Sequence, residues 1–174
     1  MKYFVKFFVV TFLLLISTHT FADQKIVVLD MKFVLNNSSA GKGAQDYLKK
    51  NFDNNQKKFL DMEKALKEEE NDLLTKKTVL SREEYQKKAD ELRKKVIDYQ
   101  SQRRLAMDKI ATRRAESREI LMKKLIPIVD TYIKENNISL VMDKKNMVGG
   151  STEYDITEII IKKLDKELPS LNLN

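Results

Sequence analysis

Two apolar stripes run through the middle of this chain, and one arithmetic relation joins them. Between residues 42 and 124, Leu48, Phe52, Phe59, Met62, Leu66 and Leu73 fall on alternating steps of four and three, with Asn55 and Glu69 in the gaps. Tyr85, Ala89, Leu92, Val96, Tyr99, Ala106 and Ile110 repeat the pattern, with Arg103 in the gap. Such steps mark the seam positions of coiled-coil helices. In an antiparallel pair, facing residues have numbers of constant sum. A sum of 158 sets Leu73 against Tyr85, Leu66 against Leu92, Met62 against Val96, Phe59 against Tyr99, Phe52 against Ala106 and Leu48 against Ile110. Asn55 then meets Arg103, and Glu69 opposite Ala89 is the mismatch. The middle of the chain is therefore predicted to fold back on itself as a helical hairpin.

The link between the stripes reads TKKTVLSREEY. Ser81 followed by Glu84 is a capping box: the serine hydroxyl accepts a free backbone N–H, and the glutamate returns to the serine's own. A helix is expected to begin there, and a link this short makes the two helices antiparallel neighbours. Arms of about 35 residues reach about 50 Å at the helical rise per residue. Their seam is thin, so most of the arm surface is wet.

The flanks read differently. KIVVLD, residues 25–30, is a buried strand, and MKFVLNNSS a short helix or turn. ISLVMD, residues 138–143, is a second strand, and KNMVGG continues as a turn with a third strand. DITEIIIKKLDKEL is a helix with Asp155 as N-cap and Glu158 three positions on. Pro127 is expected to kink or break the second arm where it enters this region. PSLNLN is expected to be a loose tail. The fold class is thus α+β: a small β-containing body, residues 23–41 and 125–174, carrying a hairpin arm at 42–124 with its tip near 77–81. Short strands leave edges that need cover, so self-association through the body is expected.

The first residues carry an address. Lys2 and Lys6 precede an uncharged run, FFVVTFLLLI, and STHTFA ends in small Ala22. That is the layout of a secretory signal peptide, cleaved after Ala22. The run is about half the length of a bilayer span.

Composition narrows the chemistry. There is no cysteine, and His19, within the signal, is the one histidine. The exported chain therefore has no Ser-His-Asp triad, no thiol nucleophile and no ordinary zinc site. Asp30, Asp143 and Asp155 read better as strand ends and a helix cap than as a carboxylate cluster. Gly41 and Gly43 lack the spacing of a phosphate loop and mark the start of the first arm. No catalytic residue, metal or cofactor is expected. Charge concentrates in the arm, where residues 49–124 hold 22 Lys and Arg against 15 Asp and Glu.

KIVVLDMKFVLNNSSAGK at the start, a charged hairpin returning through LSREEY, then LVMD and DIT together resemble the Skp/OmpH family of periplasmic chaperones, over nearly all of the exported chain and in order. The resemblance implies a periplasmic homotrimer joined through its bodies. Three helical tentacles would enclose a cavity that holds unfolded outer-membrane β-barrel proteins without ATP. PSLNLN extends past the family's last helix.

A basic arm with scattered apolar side chains suits that role, because it attracts an acidic chain over distance and touches it weakly. Leu60, Leu74, Val79, Leu80, Ile97, Leu105 and Met107 lie off the seam and, with Lys76, Lys77, Arg82, Lys87 and Lys88, are the expected client contacts. Arg113 and Arg114 are candidates for the phosphates of anionic lipid or lipopolysaccharide. The basic pI invites nucleic acid, but export and the interleaved acids argue against it. A structural coiled-coil spacer, or a lipid-surface protein without chaperone activity, is the alternative.

Overall fold

The structure, a computed structural model, describes residues 24–173. The expected signal peptide and its cleavage site after Ala22 lie outside the described residues. In chain order the elements are β1 (Lys25–Leu29), α1 (Met31–Asn37), α2 (Ser39–Thr75), α3 (Arg82–Glu135), β2 (Ile138–Asp143) and α4 (Thr157–Glu167). Short 3-10 turns cover Lys76–Thr78, Lys144–Asn146 and Thr152–Tyr154.

The hairpin is α2 and α3, of 37 and 54 residues. Its register is fixed at one buried point, where the rings of Phe59 and Tyr99 meet edge-on with centroids 6.1 Å apart. That pair has the sum of 158. Leu48, Phe59, Leu73 and Tyr99 are buried along the seam, while Leu66, Leu92 and Val96 are half-buried, as a two-helix interface dictates. At the mismatch, Glu69 turns out of the seam and its carboxylate accepts from Lys95 Nζ at 2.5 Å. Ser81 caps α3 as expected, with the full reciprocal box to Glu84.

Helix α3 does not end at Pro127; it runs on to Glu135. Proline removes the N–H that would bond the Lys123 carbonyl. Both residues are exposed, so water can take that carbonyl, while Leu125 and Ile128 on the other face are buried. Core packing thus carries the helix through a local fault. It stops at Asn136 and Asn137, the latter at φ 51°, a left-handed turn that asparagine tolerates.

The body gathers around β1 and β2, which pair in parallel with Val27 opposite Val141 and Leu29 opposite Asp143. The whole hairpin is the crossover between them, since parallel strands need a long connection. Three successive residues of β1, Val27, Val28 and Leu29, are buried, so both faces of the strand are covered. The core adds Val34, Leu125, Ile160 and Leu164, each fully buried. Each such side chain is worth about 1.5–3 kcal/mol of burial. Among the described residues no helix is long and apolar enough to cross a membrane.

Three expectations about the body change. The third strand is absent among the described residues: KNMVGG forms a 3-10 turn and loop, and a single bridge from Val28 to Asp155 stands in its place. Asp155 does not cap α4 from the N-cap position, which Ile156 holds; its Oδ1 accepts the Thr157 N–H at 2.9 Å instead. The tail is not loose. It has no helix or strand, but Leu171 packs on the core and Leu173 is buried.

Candidate functional site

The functional candidates lie on the arm. At its tip, the chain reverses through the 3-10 turn and leaves Val79 83% exposed. Leu80 is half-buried, its N–H bonded to the Lys76 carbonyl at 3.0 Å. Lys77, Arg82, Lys87 and Lys88 are exposed around this apolar point. Lys76 differs: its Nζ lies 2.6 Å from Asp72 Oδ2, so part of its charge is already answered. At the cap, the hydroxyl and then the backbone N–H of Ser81 hold the Glu84 carboxyl below its ordinary pKa.

Farther down, Leu60, Leu74, Ile97 and Leu105 are each half or more exposed, and Met107 is half-buried. An open groove of about 510 Å³ runs along the distal arm, with Leu66, Leu73, Leu74, Leu92 and Val96 among its lining residues. Its position follows from the seam. Ala89, also in its lining, is too small to fill the layer opposite Glu69.

A second pocket of about 650 Å³ lies at the root of the arm, between Leu35, Leu48, Phe52 and Leu121. Gly41, Ala44 and Ser117 leave the room, and Arg114 and Arg118 border it. The periodicity places Phe52 in the seam, yet it is 42% exposed, because its opposite number, Ala106, cannot cover a ring. The large-against-small pairing is the signal for this in the sequence. The structure places Arg113 and Arg114 differently: Arg114 borders the root pocket, whereas Arg113 bonds Glu116 at 3.2 Å. Neighbours on a helix point about 100° apart.

In the body, the three aspartates are all engaged. Asp30 Oδ1 accepts the Phe33 N–H at 2.7 Å, and Asp143 Oδ1 the Lys145 N–H at 3.1 Å. Asp155 accepts from Lys144 Nζ at 2.6 Å. Partial burial works to raise the Asp155 pKa, but the bonds from Lys144 and Thr157 outweigh it and hold the carboxyl low. Among the described residues no cluster of three or more acidic, His or Cys side chains could hold a metal ion.

Residues 25–164 match a family model described as outer membrane protein, OmpH-like. A Skp-like protein of Pseudomonas aeruginosa is 24% identical over 166 residues, which cover 95% of this chain and 99% of that one. An uncharacterised protein of Aquifex aeolicus is 27% identical over 144 residues, 83% of each chain. The crystal structure of an OmpH-like protein from Caulobacter crescentus CB15, described as a candidate outer membrane chaperone, superposes with a TM-score of 0.78 at 18% identity. It covers 90% of this chain and 92% of that one.

Proposed function

Because the chain belongs to the OmpH-like outer membrane protein family, we propose that it is a periplasmic chaperone, a non-enzymatic holdase that binds unfolded outer-membrane β-barrel proteins without ATP. One observation carries this reading. The arm keeps Leu60, Leu74, Val79, Ile97 and Leu105 half or more exposed within a basic field and does not bury them in its own fold. Barrel strands alternate apolar and polar residues. Scattered weak contacts let such a chain be held and then released with no energy source. In this account the amino-terminal residues are a signal peptide cleaved after Ala22. The bodies join as a homotrimer, so that the arms (residues 42–124) surround the client. Exposed Ile26, Leu140, Met142 and Val148 on and beside the two-stranded sheet suit that association. Arg114, with Arg113 on a different face, is a secondary contact for anionic lipid or lipopolysaccharide.

The chain has no tryptophan, so a client's tryptophan reports on the client alone. Titrating the protein into a urea-diluted β-barrel protein without ATP should blue-shift and saturate that emission. No shift at any ratio would leave a structural coiled-coil protein or a lipid-surface protein.

A further inference from the structure

The hairpin has two unlike sides. Counting from the seam in heptad letters, Leu60, Leu74 and Ile97 are b positions and Met107 an e position, whereas Leu105 is c. In an antiparallel pair the b and e positions of both helices share one side, and c and g the other. The structure bears this geometry out. The off-seam residues lining the distal groove are Glu63, Glu70, Arg93 and Gln100 at e, with Lys67 and Leu74 at b. Of the root pocket's lining, Lys49 and Arg114 are e, and Asp46 and Arg118 are b. Both openings therefore lie on one side, with Leu60 and Ile97 level with each other at the root-facing end of the distal groove. The polar ties across the hairpin use the other side: g-position Lys58 reaches Gln102 at 3.3 Å, and g-position Lys95 reaches Glu69.

Charge on the open side is also biased. Lys49, Lys67 and Arg93 are paired within it, to Asp53, Glu63 and Asp90. Arg104, Arg114 and Arg118 make no ion pair among the described residues; of the unpaired acids on that side, Asp46, Glu70 and Glu83, only Asp46 lies with them in the root half of the arm. From Leu74 to the level of Arg118 the track is about 50 Å long at the helical rise. That is about fifteen residues of extended chain, enough for one strand of a membrane barrel and part of its turn.

We propose that this side of the arm, and not its opposite, is the binding track for one extended acidic segment of the client. Apolar client side chains enter the distal groove and the root pocket, and client carboxylates meet Arg104, Arg114 and Arg118. The inference rests on the holdase reading and deepens it.

Ile97 and Leu105 give a matched test: both are 60% exposed, on the same helix, on opposite sides. The chain has no native cysteine, so Ile97→Cys and Leu105→Cys each carry a single thiol. The probe is a cysteine-free, urea-unfolded outer-membrane β-barrel protein. At about ten times its Kd it should slow alkylation of Ile97→Cys about tenfold and leave Leu105→Cys within about twofold. Equal protection, or better protection of Leu105→Cys, overturns the track. No protection at either thiol, in protein that still suppresses client aggregation, overturns the track and spares the holdase reading. Failure of the protein to bind client at all removes both. Concentration-dependent protection of Ile97→Cys without client would make this side an interface between copies. Protection by anionic vesicles alone would make it a lipid surface. Either result overturns the proposal.

Discussion

Phe59 of the outgoing helix and Tyr99 of the returning helix meet edge-to-face, with ring planes at 71°. They form the pair that locks the hairpin, because few other seam layers are fully closed. Removing the ring with Phe59→Ala should destabilise the arm by about 2 kcal/mol, below the range for a closed core because a two-helix seam can relax. Leu66→Asp should open the neighbouring layer, setting a carboxylate opposite Leu92. Limited proteolysis is the readout, with cleavage moving into the arm and helicity falling. Unchanged protease resistance in both variants would mean that the seam is held elsewhere.

The tip cap is pH-dependent. The Ser81 hydroxyl and N–H reach Glu84 Oε2 at 2.7 and 3.1 Å and favour its ionised form. The folded pKa lies below the unfolded value, so the contribution is complete above the unfolded value. It is lost as pH falls through the folded one. Amide exchange at Glu84 should therefore accelerate, relative to its intrinsic rate, as the solution is acidified. Ser81→Ala should raise that rate at neutral pH and flatten the pH response.

Gly41 sits where α1 turns into α2. A Cβ there would lie 2.0 Å from the Leu35 carbonyl oxygen and 2.9 Å from Ser38 Oγ. Gly41→Ala must therefore move backbone, and should lower stability by about 1–3 kcal/mol, a Tm loss of about 5 °C for a chain of this size. Gly43→Ala, with nothing within 4 Å of its Cβ, should raise stability by about 0.5–1 kcal/mol. The pair of melting curves checks both signs.

Charge reversal at the tip tests attraction separately from contact. Lys77, Arg82, Lys87 and Lys88 changed together to Glu should slow client association about tenfold at low salt. The difference should close at high salt. Lys76 is best left in place, because Lys76→Glu would also set two carboxylates together at Asp72. Stopped-flow association at two ionic strengths is the measurement. An unchanged rate at low salt would remove the electrostatic part of the account.

How much of this was legible in the sequence varied with the physics involved. The seam register and the Ser81–Glu84 cap were readable because each depends on local spacing. β1, β2 and α4 were readable as single elements. The helix through Pro127 was not, since burial of Leu125 and Ile128 outweighs a missing hydrogen bond only once the body has formed. Asp155 looked like a cap by spacing, but the Lys144 contact and the bridge to Val28 place it one residue outside. Leu171 and Leu173 read as tail because nothing in PSLNLN is periodic; they pack as isolated anchors. On the arm, the exposed apolar residues and their heptad positions were readable one by one, but their division into a tied side and an open side was not. That division came from Glu69 leaving the seam, from Lys58 and Lys95 tying one side, and from the grooves opening on the other.

The most direct measurement is light scattering from a urea-unfolded outer-membrane β-barrel protein diluted into buffer with and without this protein, at low and high salt. The account predicts suppression that is complete near a few arms per client, needs no ATP and weakens as salt rises. Aggregation that proceeds unchanged at every ratio and salt concentration would contradict it.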